Sequence, residues 1–299
     1  MTPLLICGLA AALSATACNS DSGFRLRKDG TIAVVVGDFD NLQESFNRLS
    51  VDTVRYDGII STATWVEDAD DFTAPALRVE NLFSSERNQE LLAHGSVFVA
   101  SGSRGFGIRQ YNSLADDNQV VADPESVANA LAFVRAGGVL VLTDWTYDLV
   151  PLLFPGAIDF WGDESVLDAA QLGDVGTVQA RVVDDELIKD LDLTDDGALS
   201  LDFNFSYWAV MESVDESDER VKVWMRGDVS LRDGDGGGTI ELTDVPLLVT
   251  VDVGGELGGR LVYSSFHFDA QNPVVIDKLL QSLVGDFDQS EVVKDRGDE

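Results

Sequence analysis

Histidine and cysteine are nearly missing from this chain, whose 299 residues hold two of each. The histidines are His94 and His267, and both cysteines, Cys7 and Cys18, fall before residue 19. A Cys/His metal centre needs about four such ligands around one ion, so the body of the chain is excluded from building one. No metal and no cofactor is expected. Lysine is almost as scarce, confined to Lys28, Lys189, Lys222, Lys278 and Lys294, and arginine supplies the other basic groups. Against 20 basic side chains stand 53 acidic ones, a formal charge of −33. A surface of that sign repels phosphate backbones and anionic headgroups, which excludes nucleic acid as a partner and charge-driven docking on a membrane.

What is present is the composition of a folded protein. Hydrophobic residues make up 45% of the chain and charged ones 24%, enough apolar surface for a core that a disordered chain of similar charge would lack. Aspartate outnumbers glutamate and is spread along the sequence instead of gathering in one run. That distribution suits a surface solvated in salt water, where screening over about 10 Å or less removes the self-repulsion.

Residues Met1–Ala17 carry no charge. The apolar stretch Leu4–Leu13 is too short to span a bilayer, which takes about 20 residues, but has the length of a signal-peptide apolar region. Ser14-Ala15-Thr16-Ala17 then lead into Cys18. Small residues before a cysteine resemble the lipobox of bacterial lipoproteins, in which that cysteine receives a diacylglycerol thioether and becomes the new N-terminus. The resemblance implies a signal peptide over residues 1–17, lipid attachment at Cys18, a polar tether over 18–30 and a place in the bacterial cell envelope. Asn19 stands where an aspartate would hold such a protein at the inner membrane, which points to the outer membrane. The expected partner is then the membrane, reached through the lipid alone. Cys7 leaves with the leader, and no free thiol remains.

The folded part is expected over residues 31–284, followed by an acidic, disordered tail over 285–299. Thr31–Val36 is a continuous β-branched run ending in Gly37-Asp38, the pattern of a strand buried on both faces of a parallel sheet. Asp40 and Asn41 are placed to cap a helix running to Leu49, and Val51–Tyr56 returns as a second strand. Ser96–Ala100 and Val139–Asp144 repeat the buried-strand pattern around a helix that opens at Pro124 and stops at Gly137-Gly138. Residues 59–89 are expected to be irregular. From about 176 to 256 the texture changes to short strands with Asp/Gly turns, at Val178–Val183, Leu199–Phe205, Tyr207–Val214, Val221–Met225, Thr239–Leu242 and Pro246–Val253. Leu261–His267 reads as a last core strand and Val274–Leu283 as a last helix. The fold class is α/β: an open, mostly parallel sheet flanked by helices, flavodoxin-like, with a β-rich insert or extension.

The order of these elements, with Ala132-Phe133-Val134-Arg135-Ala136-Gly137-Gly138 leading into the strand at Val139 and Ser265-Phe266-His267 closing a late strand, resembles the class I glutamine amidotransferase-like superfamily, and within it envelope relatives without assigned activity. In active members a cysteine on a tight strand-to-helix elbow attacks an amide, while a histidine at the end of a late strand, aligned by an acidic residue, removes its proton. His267 stands where that histidine would be. The resemblance finds no nucleophile: the strand ending at Thr143-Asp144 continues as Trp145-Thr146-Tyr147, without Gly-x-Cys-x-Gly. The glutamate expected two residues after the histidine is replaced by Asp269, which is placed to orient the imidazole.

Other residues offer weaker chemistry. Ser101 and Ser103 lie in a small-residue loop after a buried strand, where open sheets bind ligands, but Gly102-Ser103-Arg104-Gly105 is not Gly-x-Ser-x-Gly, and Gly105-Phe106-Gly107 is no dinucleotide fingerprint. His94 reads as a surface residue. The acidic turns Asp190–Gly197 and Asp233–Gly236 have carboxylates at alternate positions, yet position twelve from Asp192 is Phe203 where a calcium loop needs glutamate; they read as solvated turns. Trp145, Trp161, Trp208 and Tyr207 read as core aromatics rather than as a pocket lining. Together these residues describe a lipid-anchored envelope protein whose amidotransferase-like domain has lost catalysis and serves as a binding or scaffold module, with any site near Asp38, Ser101, Asp144 and His267. The rival is a hydrolase that uses His267 with an acidic or serine partner.

Overall fold

The computed structural model describes residues 30–59, 78–106, 119–162, 170–232, 238–253 and 258–284. Cys18 and the leader, the tether up to Asp29, the turn Asp233–Gly236 and the tail 285–299 lie outside them. Along the first half of the chain run β1 (Thr31–Val36), α1 (Leu42–Arg48), β2 (Thr53–Asp57), α2 (Val79–Leu82), α3 (Asn88–Ala93), β3 (His94–Val99), α4 (Gln119–Ala122), α5 (Pro124–Arg135), β4 (Val139–Thr143) and α6 (Leu149–Leu153). The second half is strand-rich: β5 (Ile158–Phe160), β6 (Gln171–Gly173), β7 (Gly176–Val182), α7 (Asp185–Asp190), β8 (Ala198–Phe203), β9 (Trp208–Ala209), β10 (Met211–Val214), β11 (Val221–Arg232), β12 (Thr239–Asp252), β13 (Arg260–Ser264) and α8 (Pro273–Val284). Among the described residues no helix is long and apolar enough to cross a membrane.

Five strands form a parallel block in the order β2-β1-β3-β4-β13. This is the 2-1-3-4-5 order of flavodoxin-like sheets. Continuous apolar runs make these strands because both faces are covered. Ile32, Val34, Phe98, Val139, Val141 and Val262 pack on one side against Phe46 of α1 and Leu279 and Leu283 of α8. Ala33, Val35, Val97, Val99, Leu140, Leu142 and Tyr263 pack on the other against Phe133 and Val134 of α5 and Leu149 of α6. Helix α5 begins where Asp123 accepts the backbone N–H groups of Glu125 and Ser126, with Pro124 at the first helical position, an arrangement that satisfies otherwise orphaned donors.

Beyond β13 the sheet turns antiparallel. β12 pairs with β13, β11 with β12, and β6 and β7 with β11. Where the sequence reads as three short strands, the chain forms two long ones, and the ladder shifts register between Val223 and Val229. Gly227 and Pro246 interrupt the local strand propensity there, but both lie in the ladder, Pro246 opposite Arg226; a bulged segment tolerates a proline that a regular central strand does not.

Three other local expectations change. His94 is 3% exposed, not a surface residue; it opens β3 beside β1, its Nδ1 lies 2.7 Å from Thr31 Oγ1 and its Nε2 3.1 Å from Tyr56 Oη. Within the stretch 59–89, expected to be irregular, residues 78–89 hold α2, a 3-10 turn at Ser85–Arg87 and the start of α3. Asn41 makes no side-chain cap on α1, and Asp40 is turned toward the loop that follows β13.

Candidate functional site

Ligands of open parallel sheets bind outside the carboxyl ends of the strands. At that edge β4 ends and the chain turns sharply into a 3-10 helix, Asp144–Asp148. The turn is made by Asp144 in a left-handed conformation, φ 45°, a region that non-glycine residues seldom occupy but aspartate tolerates better than most. The side chain is thereby held over the strand ends. Its Oδ1 accepts the backbone N–H of Ala209 in β9 at 2.7 Å. Its Oδ2 accepts the Ser101 hydroxyl at 3.1 Å and meets His267 Nε2 at 2.8 Å. The Asp144 carbonyl accepts Tyr263 Oη from β13 at 2.9 Å. Three segments distant in sequence, around Ser101, Ala209 and Tyr263–His267, are thus drawn onto one aspartate.

His267 lies three residues past the end of β13 and is 5% exposed. Its second ring nitrogen, Nδ1, faces Asn204 Oδ1 at 3.3 Å. With oxygens opposite both nitrogens, the doubly protonated imidazolium satisfies both contacts. Burial alone would lower its pKa, but the hydrogen bond to Asp144 and the charges of Asp144, Asp40 and Asp269 outweigh this and raise it. For Asp144, burial raises the pKa further than its bonds to His267, Ala209 and Ser101 lower it. The two shifts are coupled, because the charge of each group sets the proton affinity of the other.

A second carboxylate fixes the loop that carries His267. Asp40, 1% exposed, accepts the backbone N–H groups of Phe268 at 3.2 Å and Asp269 at 3.1 Å. Asp269 in turn accepts the N–H of Asn41 at 3.0 Å. The loops after β1 and β13 are stitched together by these three bonds. Burial, and then the negative charge of Asp269, push Asp40 up to about 7.

Of the residues singled out from the sequence, Ser101, Asp144 and His267 converge. Asp269 does not orient the imidazole by a bond; the bonded carboxylate is Asp144. Ser101 is fully buried, its amide donates to Thr143 Oγ1, and its hydroxyl points at Asp144. The resulting order, serine to carboxylate to imidazole, differs from the nucleophile, base and acid order of a hydrolytic triad. Ser103 is buried and donates to the Ala100 carbonyl. Asp38 is half-buried beside the loop after β3, its amide donating to the Gly102 carbonyl. In the turn 190–197, Asp190 accepts from Ser282, Asp192 pairs with Lys278, and Asp196 accepts from Thr194 and Ala198, so the carboxylates have separate partners.

Over the Asp144–His267 pair lies a small cleft of about 60 Å³, lined by Phe39, Asp144, Trp145, Phe205, Ser206 and His267. Trp145, read as core from the sequence, is 4% exposed yet forms one wall. Its indole Nε1 donates to the Tyr207 carbonyl at 2.6 Å, which pins the 204–207 loop above the elbow. Sequence reasoning missed Asp40, which it read as a helix cap, and Phe39, Asn204, Phe205 and Ser206. Asn204 and Phe205 read from the sequence as the end of a strand, Leu199–Phe205, but β8 stops at Phe203 and leaves them in the loop over the cleft.

No protein-family model matches the sequence, and no curated protein does. Among solved structures the chain is similar to a ThuA-like protein from Bacteroides uniformis, at 12% identity over 86% of this chain and 91% of that one, TM-score 0.48. It is also similar to a cytoplasmic protein from Salmonella typhimurium, at 10% identity over 86% and 100%, TM-score 0.45, and to PurLQS from Thermotoga maritima, at 10% over 86% and 98%, TM-score 0.44. At such scores the activity of those proteins says nothing about this one, and the fold rests on the strand order and packing described above.

Proposed function

We propose that this protein is a lipid-anchored cell-envelope protein whose amidotransferase-like domain is catalytically silent and acts as a binding module. One observation carries the second half of this reading: the residue at the strand-to-helix elbow is a carboxylate already engaged by Ala209, Ser101 and His267. A carboxylate with three donors is a poor nucleophile, and the imidazole that would serve as base is held by it. The leader pattern ending at Cys18 supports the anchor, and the stitched loops around His267 supply a rigid floor for a ligand.

The elbow is tested by Asp144→Cys. A thiol there would sit beside His267 and ionise as a thiolate–imidazolium pair, so iodoacetamide should alkylate it at pH 6 far faster than an ordinary thiol of pKa about 8.5. Adding His267→Ala should abolish that advantage, and peptide mass mapping separates the label from Cys7 and Cys18. Ordinary reactivity at the new thiol would overturn the elbow assignment. Turnover of esters, amides or glycosides by the wild type, lost in His267→Ala, would establish the hydrolase instead.

The anchor is tested separately. Mass spectrometry of the N-terminal peptide from cells grown with labelled palmitate should show an acylated Cys18, lost together with the label in Cys18→Ala. An unmodified peptide spanning Cys18-Asn19 in the wild type would sink the anchor.

A further inference from the structure

The cleft over the Asp144–His267 pair has a chemical bias that the fold does not require. Three of its walls are aromatic. Phe39 stands 5.0 Å from Trp145 at an interplanar angle of 69° and 5.6 Å from Phe205 at 58°. The planes are thus inclined to one another as the sides of a box and not stacked flat, and Phe205 is 46% exposed at the rim. Phe205 thus presents part of its ring at the mouth of the cleft.

The floor and surroundings are acidic. Among the described residues that line the cleft none is lysine or arginine, and His267 is the one basic group. Asp144 lies in the floor, and Asp40 and Asp269 stand close enough to His267 to raise its pKa. Asp144 pairs with His267 in the floor, and Asp40 and Asp269 lie behind the imidazole without lining the cleft. The whole chain, at −33, concentrates small cations at its surface and repels anions. Polar groups able to read a sugar's hydroxyls are few, because the Asp144 carboxylate and both His267 nitrogens already have partners within the protein.

Aromatic faces with negative charge behind them attract a cation whose own charge is spread over methyl groups. The volume of about 60 Å³ admits roughly four water-sized spheres at about 15 Å³ each, hence one compact headgroup and not a large ligand. We propose that this cleft binds a small methylated ammonium group, with Phe39, Trp145 and Phe205 as its aromatic walls and Phe205 as the contact at its mouth. The inference rests on the reading of the domain as a binding module and supplies the class of its ligand.

The test is a calorimetric titration of the full-length protein with choline and, in parallel, with 3,3-dimethylbutan-1-ol, which has the same shape without the charge. Choline should bind, accompanied by a change in tryptophan fluorescence from Trp145, and the neutral analogue should bind about tenfold more weakly or not at all. Phe205→Ala, at a half-exposed position where folding is little affected, should weaken choline about tenfold, while Phe205→Tyr should retain it. Equal affinity for the two compounds would show a merely apolar slot and overturn the proposal. So would tighter binding of a neutral monosaccharide, or no choline binding at tens of millimolar. If choline fails while the Asp144→Cys thiol reacts as expected, the ligand class falls and the silent domain stands; if hydrolysis is found, the domain reading falls whatever choline does.

Discussion

Asp144→Ala is expected to lower the free energy of unfolding by about 3–5 kcal/mol, the usual cost of removing one partner of a buried ion pair. The substitution leaves the Ala209 amide, the Ser101 hydroxyl and an imidazolium without their acceptor in a site where Asp144 is 2% exposed. It also leaves alanine at φ 45°, which aspartate tolerates better. Asp144→Asn separates the contributions: asparagine keeps an acceptor oxygen and tolerates the same backbone conformation, so about 1–3 kcal/mol is expected from losing the charge and one hydrogen bond. Urea unfolding of the three proteins, at a pH where His267 is protonated, gives the comparison. A loss below about 1 kcal/mol for the alanine variant would mean that the pair is not the clamp it is taken to be.

The second large effect is in pH. Asp40 is pushed up to about 7 from an ordinary value of 3.8. Its carboxyl is therefore protonated in the fold at pH values where it is ionised in the unfolded chain. That contribution to stability is fully present below about 3.8 and is lost as the pH rises through about 7, which amounts to about 4 kcal/mol in all, about 3 of it between pH 5 and pH 8. The raised values of Asp144 and His267 act in the same direction, the imidazolium's share being lost only above its own raised pKa. In Asp40→Asn the absolute stability also changes, because an amide accepts well from only one of the two N–H groups of Phe268 and Asp269. The pH dependence is the cleaner readout. Between pH 5 and pH 8 the variant should gain about 3 kcal/mol relative to the wild type, and parallel stability curves for the two proteins would refute an elevated Asp40. The charge of −33 is nearly the same in both, so it cancels in the difference.

Both effects belong to residues whose roles the sequence hides to different degrees. The parallel strands β1, β3 and β4 are legible as runs such as Thr31–Val36 and Val139–Thr143, because a strand covered on both faces must be apolar along its whole length. Helices α5 and α8 announce themselves by apolar spacing and by a proline at their first residue. His94 is not legible in this way: whether a polar residue at a strand's edge is exposed depends on which strand lies beside it. The long β11–β12 ladder is obscured for a related reason, since Gly227 and Pro246 lower the local propensity while pairing across the sheet sustains the strands.

By itself, then, the chain determines the architecture and the chemical limits. Its hydrophobic periodicity demands a covered parallel sheet, and its lack of cysteine and histidine after residue 18, apart from His94 and His267, removes thiol and clustered-metal chemistry from the folded body. What only tertiary structure decided is which groups meet. Asp144 and His267 are 123 residues apart and Asp40 reaches across 228 to Phe268. Local sequence carries a residue's preference for strand, helix or turn, because those are set within a few positions. A buried carboxylate's partner, and through it the charge and shape of the cleft, is set by which strand ends the sheet brings side by side.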